Sequence, residues 1–424
     1  MNIKIKESEL IKNSIGEYFN FYIDKTNNLV FNKFNNKNTL SIFLSEIDSN
    51  VLDFSVIIDE KDIIHLIYLI KNGDLIYCTY VEENWMKKLV FKLDTKSNIY
   101  KNLTLIISNN SINIFYAYAN LVNINLWNIE QITKSNTRWE KKKVTSIFSK
   151  KIFSPFYIDY DRLGNIHLLL KTNEHNSTHI YYTFYNVFIK KWSEITEKIS
   201  FIDTYNIFPY LFIDSKNNIH ILWSSLENKD YILKYKRLSH IGKNKYKWNT
   251  VDLPHINNIT HTPIMIEINE TLKIIYLKNN KIGYLNSINY GESWNFTNKT
   301  QLSDLPIDFI KYSSNFQKKY SNKKINHIYG IIDENISLFF NENDFYKNSI
   351  IDSNNKTTKL QQNKLNFIDK NEFIELKKTI SEIKKTSQEI FTISDNILSE
   401  INIIKEKIKN IDKQKSKKGF FNFK

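Results

Sequence analysis

The sequence predicts an all-β body, a β-propeller, followed by a C-terminal α-helical coiled coil. Three observations carry this fold class. A four-part motif recurs along residues 19–341, a tryptophan returns on nearly the same beat, and residues 373–411 hold an unbroken heptad pattern.

The chain of 424 residues is 42% hydrophobic and 14% aromatic, ample for a large core, so global disorder is excluded. Its 28 Phe and 25 Tyr suit half-buried pleated surfaces. A formal charge of +14 invites a nucleic-acid partner. Composition argues otherwise. Alanine occurs only at Ala117 and Ala119 and arginine only at Arg138, Arg162 and Arg237, while Ile, Lys and Asn abound, the joint signature of an AT-rich genome. Duplex readers depend on arginine for bidentate guanine contacts, so no specific nucleic-acid partner is expected. The lone Cys78 cannot form an internal disulfide. Residues 1–22 lack the apolar segment of a signal peptide, and no 18-residue apolar run occurs, so the expected location is cytoplasmic.

The repeat reads as an apolar strand, an Asp-led turn, an Asn-Ile-His-Leu strand, an aromatic strand and a Trp. It is plainest at Asp59–Tyr68, Asp161–Leu170 and Asp214–Trp223. With the His position as marker, the series runs His65, Asn113, His167, His220, Lys273, His327, a period of about 53 residues. Trp85, Trp139, Trp192, Trp248 and Trp294 keep nearly the same beat. Each unit is expected to be a four-stranded antiparallel sheet, its third strand between marker and Trp and its fourth after the Trp. Such a sheet cannot bury both faces alone, whereas sheets packed around an axis can. Asp24, Leu29, Val30 and Phe31 echo the motif. That unit and the one around His327 each hold about three strands, too many to merge into one sheet, which favours seven blades over six. Asn2–Lys6 could supply a closing strand.

Ser287-Ile288-Asn289-Tyr290-Gly291-Glu292-Ser293-Trp294 resembles the Asp-box of sialidase-like BNR repeats, with Asn289 where that family has Asp. Asn can still form an Asx-turn, and Gly291 can take a positive φ. The resemblance implies a propeller across residues 19–341, with this turn between the third and fourth strands of its blade and Ser287, Asn289, Gly291 and Trp294 in structural roles. It also implies a glycan as one kind of ligand. The family grips its substrate carboxylate with three arginines, one in an Arg-Ile-Pro motif. That motif is missing here, and Arg138, Arg162 and Arg237 fall at different repeat phases. Sialidase chemistry is therefore not expected, and no catalytic residue, metal ligand or cofactor site is assigned. The histidine series could ring the axis with zinc ligands. A structural role is preferred: each histidine in an inner strand, hydrogen-bonded to a neighbouring blade. Residues 173–178 and 257–262 are plausible rim contacts.

Residues 342–366 are polar and read as a linker. Within 367–412, Phe373, Leu376, Ile380, Ile383, Ser387, Ile390, Ser394, Ile397, Ile401, Ile404, Ile408 and Ile411 alternate steps of three and four. A strict 3.5 period marks a coiled coil rather than a helix lying on a globular surface. Ile at both core positions favours a trimer, then a tetramer, over a dimer. The tail 413–424 is basic, then aromatic, and Phe420, Phe421 and Phe423 suit either a membrane surface or a partner groove. The expected function is a non-enzymatic binding or scaffold protein, presenting propeller heads with protein or glycan ligands on an oligomeric stalk. The alternative is a glycan-active enzyme, which requires a carboxylate pair at the axis.

Overall fold

The computed structural model describes residues 7–339, apart from 109–110, 136–137, 151–154, 202–204, 241–244, 280, 298–300, 303–305 and 317–322. The linker, the heptad segment, the aromatic tail and Asn2–Lys6 lie outside the described residues. Every regular element described is a β-strand.

The strands form antiparallel runs in chain order. The clearest is Val51–Ile58, Ile64–Ile70, Asp74–Val81 and Asn84–Lys92. Asn98–Ser108, Ser111–Asn120, Leu126–Ser135 and Arg138–Phe148 make the next. Three further runs begin at Tyr157–Tyr160, Asn206–Ile213 and Ile264–Ile268. The first strand of each run faces a common centre. The ring closes where Glu7–Lys12 pairs in parallel with Asp308–Ser314, in register from Glu7 with Phe309 to Lys12 with Ser314. Consecutive meanders around a centre, with the last joined to the first, constitute a β-propeller.

The closure differs from the expectation that the two end units hold too many strands to merge. Ile336–Leu338, His327–Ile332 and Asp308–Ser314 join Glu7–Lys12, Tyr18–Ile23, Leu29–Phe34 and Leu40–Asp48 in one seven-stranded sheet. They merge because the two first strands run in the same direction and bond edge to edge. The far ends also meet: Leu40 donates its N–H to the Glu334 carbonyl, and Ile336 donates to Asn38. A second correction follows. The Asp24 turn joins the second and third strands of its unit, not the first and second, so Val30 is one strand out of phase with the histidine markers. This is why the step from Val30 to His65 is short.

The motif has a physical explanation. In each Asp-led turn one carboxylate oxygen accepts backbone N–H groups two and four residues on, from Lys61 and Ile63 to Asp59, Leu163 and Asn165 to Asp161, and Lys216 and Asn218 to Asp214. The residue three positions on takes a positive φ (Asp62 62°, Gly164 85°, Asn217 63°). In two of the turns the second oxygen meets the histidine: His65 Nε2 lies 3.1 Å from Asp59 and His220 Nε2 3.0 Å from Asp214. In all three the other ring nitrogen, Nδ1, meets a third-strand hydroxyl, Tyr77 at 2.5 Å, Tyr182 at 2.6 Å and Tyr235 at 2.7 Å. Burial opposes charge on each of these aspartates, yet the histidines and turn amides outweigh it and hold their pKa below the usual value. His65, His167 and His220 thus sit in second strands and bond their own sheet, where inner strands and inter-blade bonds were expected; His327 does meet a tyrosine of another run, Tyr210 at 3.3 Å.

The tryptophan beat is the beat of inter-sheet packing. Each tyrosine ring receives, edge to face, the Trp opening the fourth-strand region of the following run. Tyr77 meets Trp139 at 5.7 Å, Tyr182 meets Trp248 at 5.2 Å and Tyr235 meets Trp294 at 5.5 Å between centroids. Such contacts add about 0.5–1.5 kcal/mol each beyond the area buried. Gly291 lies over the same tyrosine, where a Cβ would sit 2.1 Å from the Tyr235 hydroxyl. Tyr235→Phe leaves the fully buried His220 without its Nδ1 partner and should cost about 1–3 kcal/mol. Gly291→Ala adds both this clash and strain at φ 83° and should cost at least as much. Thermal melts check both, and unchanged melting of Gly291→Ala would refute the docking geometry.

Candidate functional site: the axial cavity

The first strands enclose a cavity of about 2640 Å³, to which all seven contribute, from Glu9 through Asp53, Lys101, Tyr157, Phe208 and Glu267 to Phe309. Four of them, Val51–Ile58, Asn98–Ser108, Tyr157–Tyr160 and Asn206–Ile213, have an axial edge with no ladder partner among the described residues, and their backbone amides need acceptors. Neighbouring side chains supply them. Glu9 accepts from Val56 N–H at 2.5 Å, Asp53 from Leu103 at 2.9 Å, Ser55 from Leu105 at 2.9 Å and Asp159 from Ile213 at 2.7 Å. Glu267 accepts from Ser215 N–H at 2.7 Å.

The cavity lysines near these groups are engaged as well. Lys311 donates to Glu9 at 3.1 Å and to Ser55 at 2.5 Å, and Lys324 lies 2.8 Å from Asp159. Asp59, Asp161 and Asp214, which also line the cavity, are held in the turns described above. Among the described residues, only Glu60 of the cavity-lining carboxylates is left exposed without a side-chain bond. Lys171 reaches the cavity from the second strand of its run, where the first strand, Tyr157–Tyr160, is short. Burial alone lowers its pKa.

One wall is different in kind. Phe208, His261, Phe309 and His327 line it in sequence, with ring centroids 6.0 Å apart for the first pair, 5.0 Å for the second and 5.1 Å for the third. Tyr157 closes the row, 5.7 Å from His327 and edge-on. Phe208 holds φ at 54° immediately before Pro209, within a bulge of Asn206–Ile213. A bulky residue in the left-handed region ahead of proline is strained by about 1–3 kcal/mol, and strain of this kind gathers at binding sites. Burial lowers the His261 pKa to about 4, and burial with the nearby Lys311 lowers that of His327 to about 3. Both rings are neutral at physiological pH.

Several residues singled out in the sequence stand elsewhere. Ser287 Oγ accepts from Gly291 N–H at 2.9 Å and bonds Asn289 Oδ1 at 2.8 Å, while Ser293 N–H donates to Asn289 at 3.0 Å. This turn lies between Lys281–Ser287 and Asn295–Phe296, outside the cavity lining. Of the three arginines only Arg162 lines the cavity, Arg237 being buried beside Glu292 and Arg138 lying exposed at the start of a fourth strand. The histidine markers do not converge, and among the described residues no group of three or more His, Cys, Asp or Glu is placed to hold a metal. The segments proposed as rim contacts do reach the cavity, through Asn173, His261 and Thr262.

The aromatic wall went unread in the sequence because its members come from three separate runs. His327 carried one signal. His65, His167 and His220 each follow an Asp by six residues, whereas position 321 is Ser. Without that aspartate His327 is excluded from the Asp–His–Tyr set and turns to the cavity.

Fold and cavity together define a β-propeller with an axial ligand-sized chamber. No protein-family model and no curated protein matches the chain. Solved structures similar to it include a protein of unknown function from Dyadobacter fermentans (12% identity, TM-score 0.43, covering 66% of this chain and 92% of that one). A fucose-specific lectin from Aleuria aurantia is similar at 12% identity and TM-score 0.38, covering 69% and 94%. The WD40 domain of SCAP from fission yeast is similar at 8% identity and TM-score 0.43, covering 78% and 76%. At these values the likenesses assign neither ligand nor activity. No helix among the described residues is long and apolar enough to cross a membrane.

Glu9 gives the site a pH signature. Burial outweighs Lys311 and raises its pKa from 4.5 to about 7. The stability tied to its protonated form is present below pH 4.5 and is lost as pH rises through 7. Glu9→Gln copies the protonated form, so its melting temperature should gain on the wild type between pH 5 and 8. A constant difference across that range would show that Glu9 does not titrate there.

Proposed function

We propose that the protein is a non-enzymatic binding protein that takes its ligand, a glycan or a protein segment, in the axial cavity. One observation carries this reading. The carboxylates that reach the cavity, Glu60 apart, are already bonded by the chain's own amides, lysines and histidines. A glycoside hydrolase needs one carboxyl free to protonate a leaving group and another free to attack or to activate water. The glycan-active alternative would have to rest on Glu9, whose pKa near 7 suits an acid but whose oxygens are committed to Val56 and Lys311. Incubation with a glycan panel should show retention without release of new reducing ends. Turnover that Glu9→Gln abolishes would overturn the binding reading in favour of the alternative.

We further propose a domain plan of a propeller over residues 1–341 with seven blades, or six where the merged seven-stranded sheet counts as one, a linker over 342–366, a coiled coil over 367–412 and a tail over 413–424. The Ser287–Trp294 turn is read as a structural Asp-box. The hydrophobic positions Phe373, Leu376, Ile380, Ile383, Ile390, Ile397, Ile401, Ile404, Ile408 and Ile411 would gather heads into a trimer, and clustering would raise the avidity of weak cavity sites. Phe420, Phe421 and Phe423 would dock the stalk's far end on a membrane surface or in a partner groove. In analytical ultracentrifugation, residues 366–412 should sediment as an oligomer. A monomer at high micromolar concentration would refute the stalk, and equal liposome pelleting by full-length and Gly419-truncated chains would refute the membrane contact.

A further inference from the structure

Resting on that binding reading, we propose that the wall formed by Phe208, His261, Phe309 and His327 is a recognition site for an uncharged, hydroxylated ring, a neutral saccharide residue. The argument begins with the proton positions on the two imidazoles. Tyr329 donates its hydroxyl to the Thr262 carbonyl at 2.6 Å, so at its 3.1 Å contact with His261 it can only accept. His261 therefore carries its proton on Nδ1 and offers Nε2 as an acceptor. Tyr210 is the reverse. Its hydroxyl has His327 Nδ1 at 3.3 Å to donate to, whereas the Tyr329 hydroxyl is already spent on Thr262. His327 then carries its proton on Nε2 and offers a donor. The wall thus presents one acceptor and one donor on either side of Phe309, both on rigid rings locked by tyrosines from other strands.

Charge decides the ligand class. At the wall itself an anionic ligand would need a free cation, but Lys311 beside His327 is bound by Glu9 and Ser55 and Lys324 is bound by Asp159, so the cavity's other cations, Arg162 and Lys171 among them, would have to serve it from outside the four rings. A cationic ligand needs a free carboxylate, and the nearby ones are equally committed. What remains is a neutral surface with paired hydrogen-bonding edges and aromatic area. A sugar hydroxyl can both donate and accept, and so matches either imidazole, while the C–H face of the ring packs on Phe208. The strained backbone at Phe208 places that ring against His261 and extends the apolar area. A solvent-facing aromatic with no role in recognition would not require this strain.

The test uses full-length protein on a glycan array and in calorimetric titration with the best neutral sugar. Two variants accompany it: Phe208→Ala, half-buried at the cavity edge, and His261→Phe, which keeps the stacked ring and removes the acceptor. Neutral glycans should be retained, acidic ones should show no preference, and each variant should lose at least about tenfold in affinity with wild-type melting behaviour. A preference for acidic or cationic ligands, or for planar heterocycles without hydroxyls, would overturn the proposal. Neutral-glycan binding unchanged in both variants would overturn this site while leaving the binding function standing. No glycan retained by the wild type would overturn this proposal and the glycan form of the broader reading together.

Discussion

Where no further strand pairs with it, as at Val51–Ile58, Asn98–Ser108 and Asn206–Ile213, the first strand of a propeller blade has an edge that no strand covers. Its amide groups face the axis, too far from the next first strand to form a ladder and too buried to rely on bulk water. An unpaired buried N–H costs about 1–3 kcal/mol, so a ring of such edges would be untenable without acceptors. Here the acceptors are side chains projected from the preceding strand: Glu9, Asp53, Ser55 and Asp159, with Glu267 reaching the Ser215 amide. This requirement shapes the chemistry of the chamber. It commits the chamber's carboxylates, Glu60 apart, to architecture.

A second system works between neighbouring sheets. Asp turns hold histidines, histidines hold tyrosine hydroxyls, and the tyrosine rings receive tryptophans from the next run. Each link uses a group whose other end is already fixed, so the angle between neighbouring sheets follows from local turn geometry. Variation in the set is informative. Gln131 bonds Trp192 Nε1 at 2.9 Å in the run whose marker is Asn113, replacing the His–Tyr pair with an amide. The same inter-sheet joint is thus built from different residues.

Strand order, the Asp turns and the tryptophan beat were legible because they recur. A residue such as Trp248 announces its role by standing where Trp139 and Trp294 stand. The chamber was not legible for the opposite reason. Phe208, His261 and Phe309 occur once each, at positions that differ from run to run, and their meeting depends on how the ring curves. Phase was also misread at Asp24, since the same Asx geometry serves a turn between second and third strands as readily as one between first and second. Turn chemistry identifies a turn without saying which strands it joins. The carboxylates were invisible for a related reason, since nothing near Glu9 in sequence hints that its partner amide belongs to Val56.

The parallel ladder between Glu7–Lys12 and Asp308–Ser314 also has a temporal meaning. During synthesis the strand at Glu7–Lys12 emerges some three hundred residues ahead of its partner and waits for it. Until its partner arrives, the growing arc has two raw ends, one of them a strand edge able to pair with any extended segment nearby. Completion is therefore a single late event with a high loop-closure cost. Once made, it removes both ends at a stroke. A chain arranged this way passes its hazardous period on the ribosome, and afterwards it can come apart only by breaking the ladder or tearing a sheet from its neighbours.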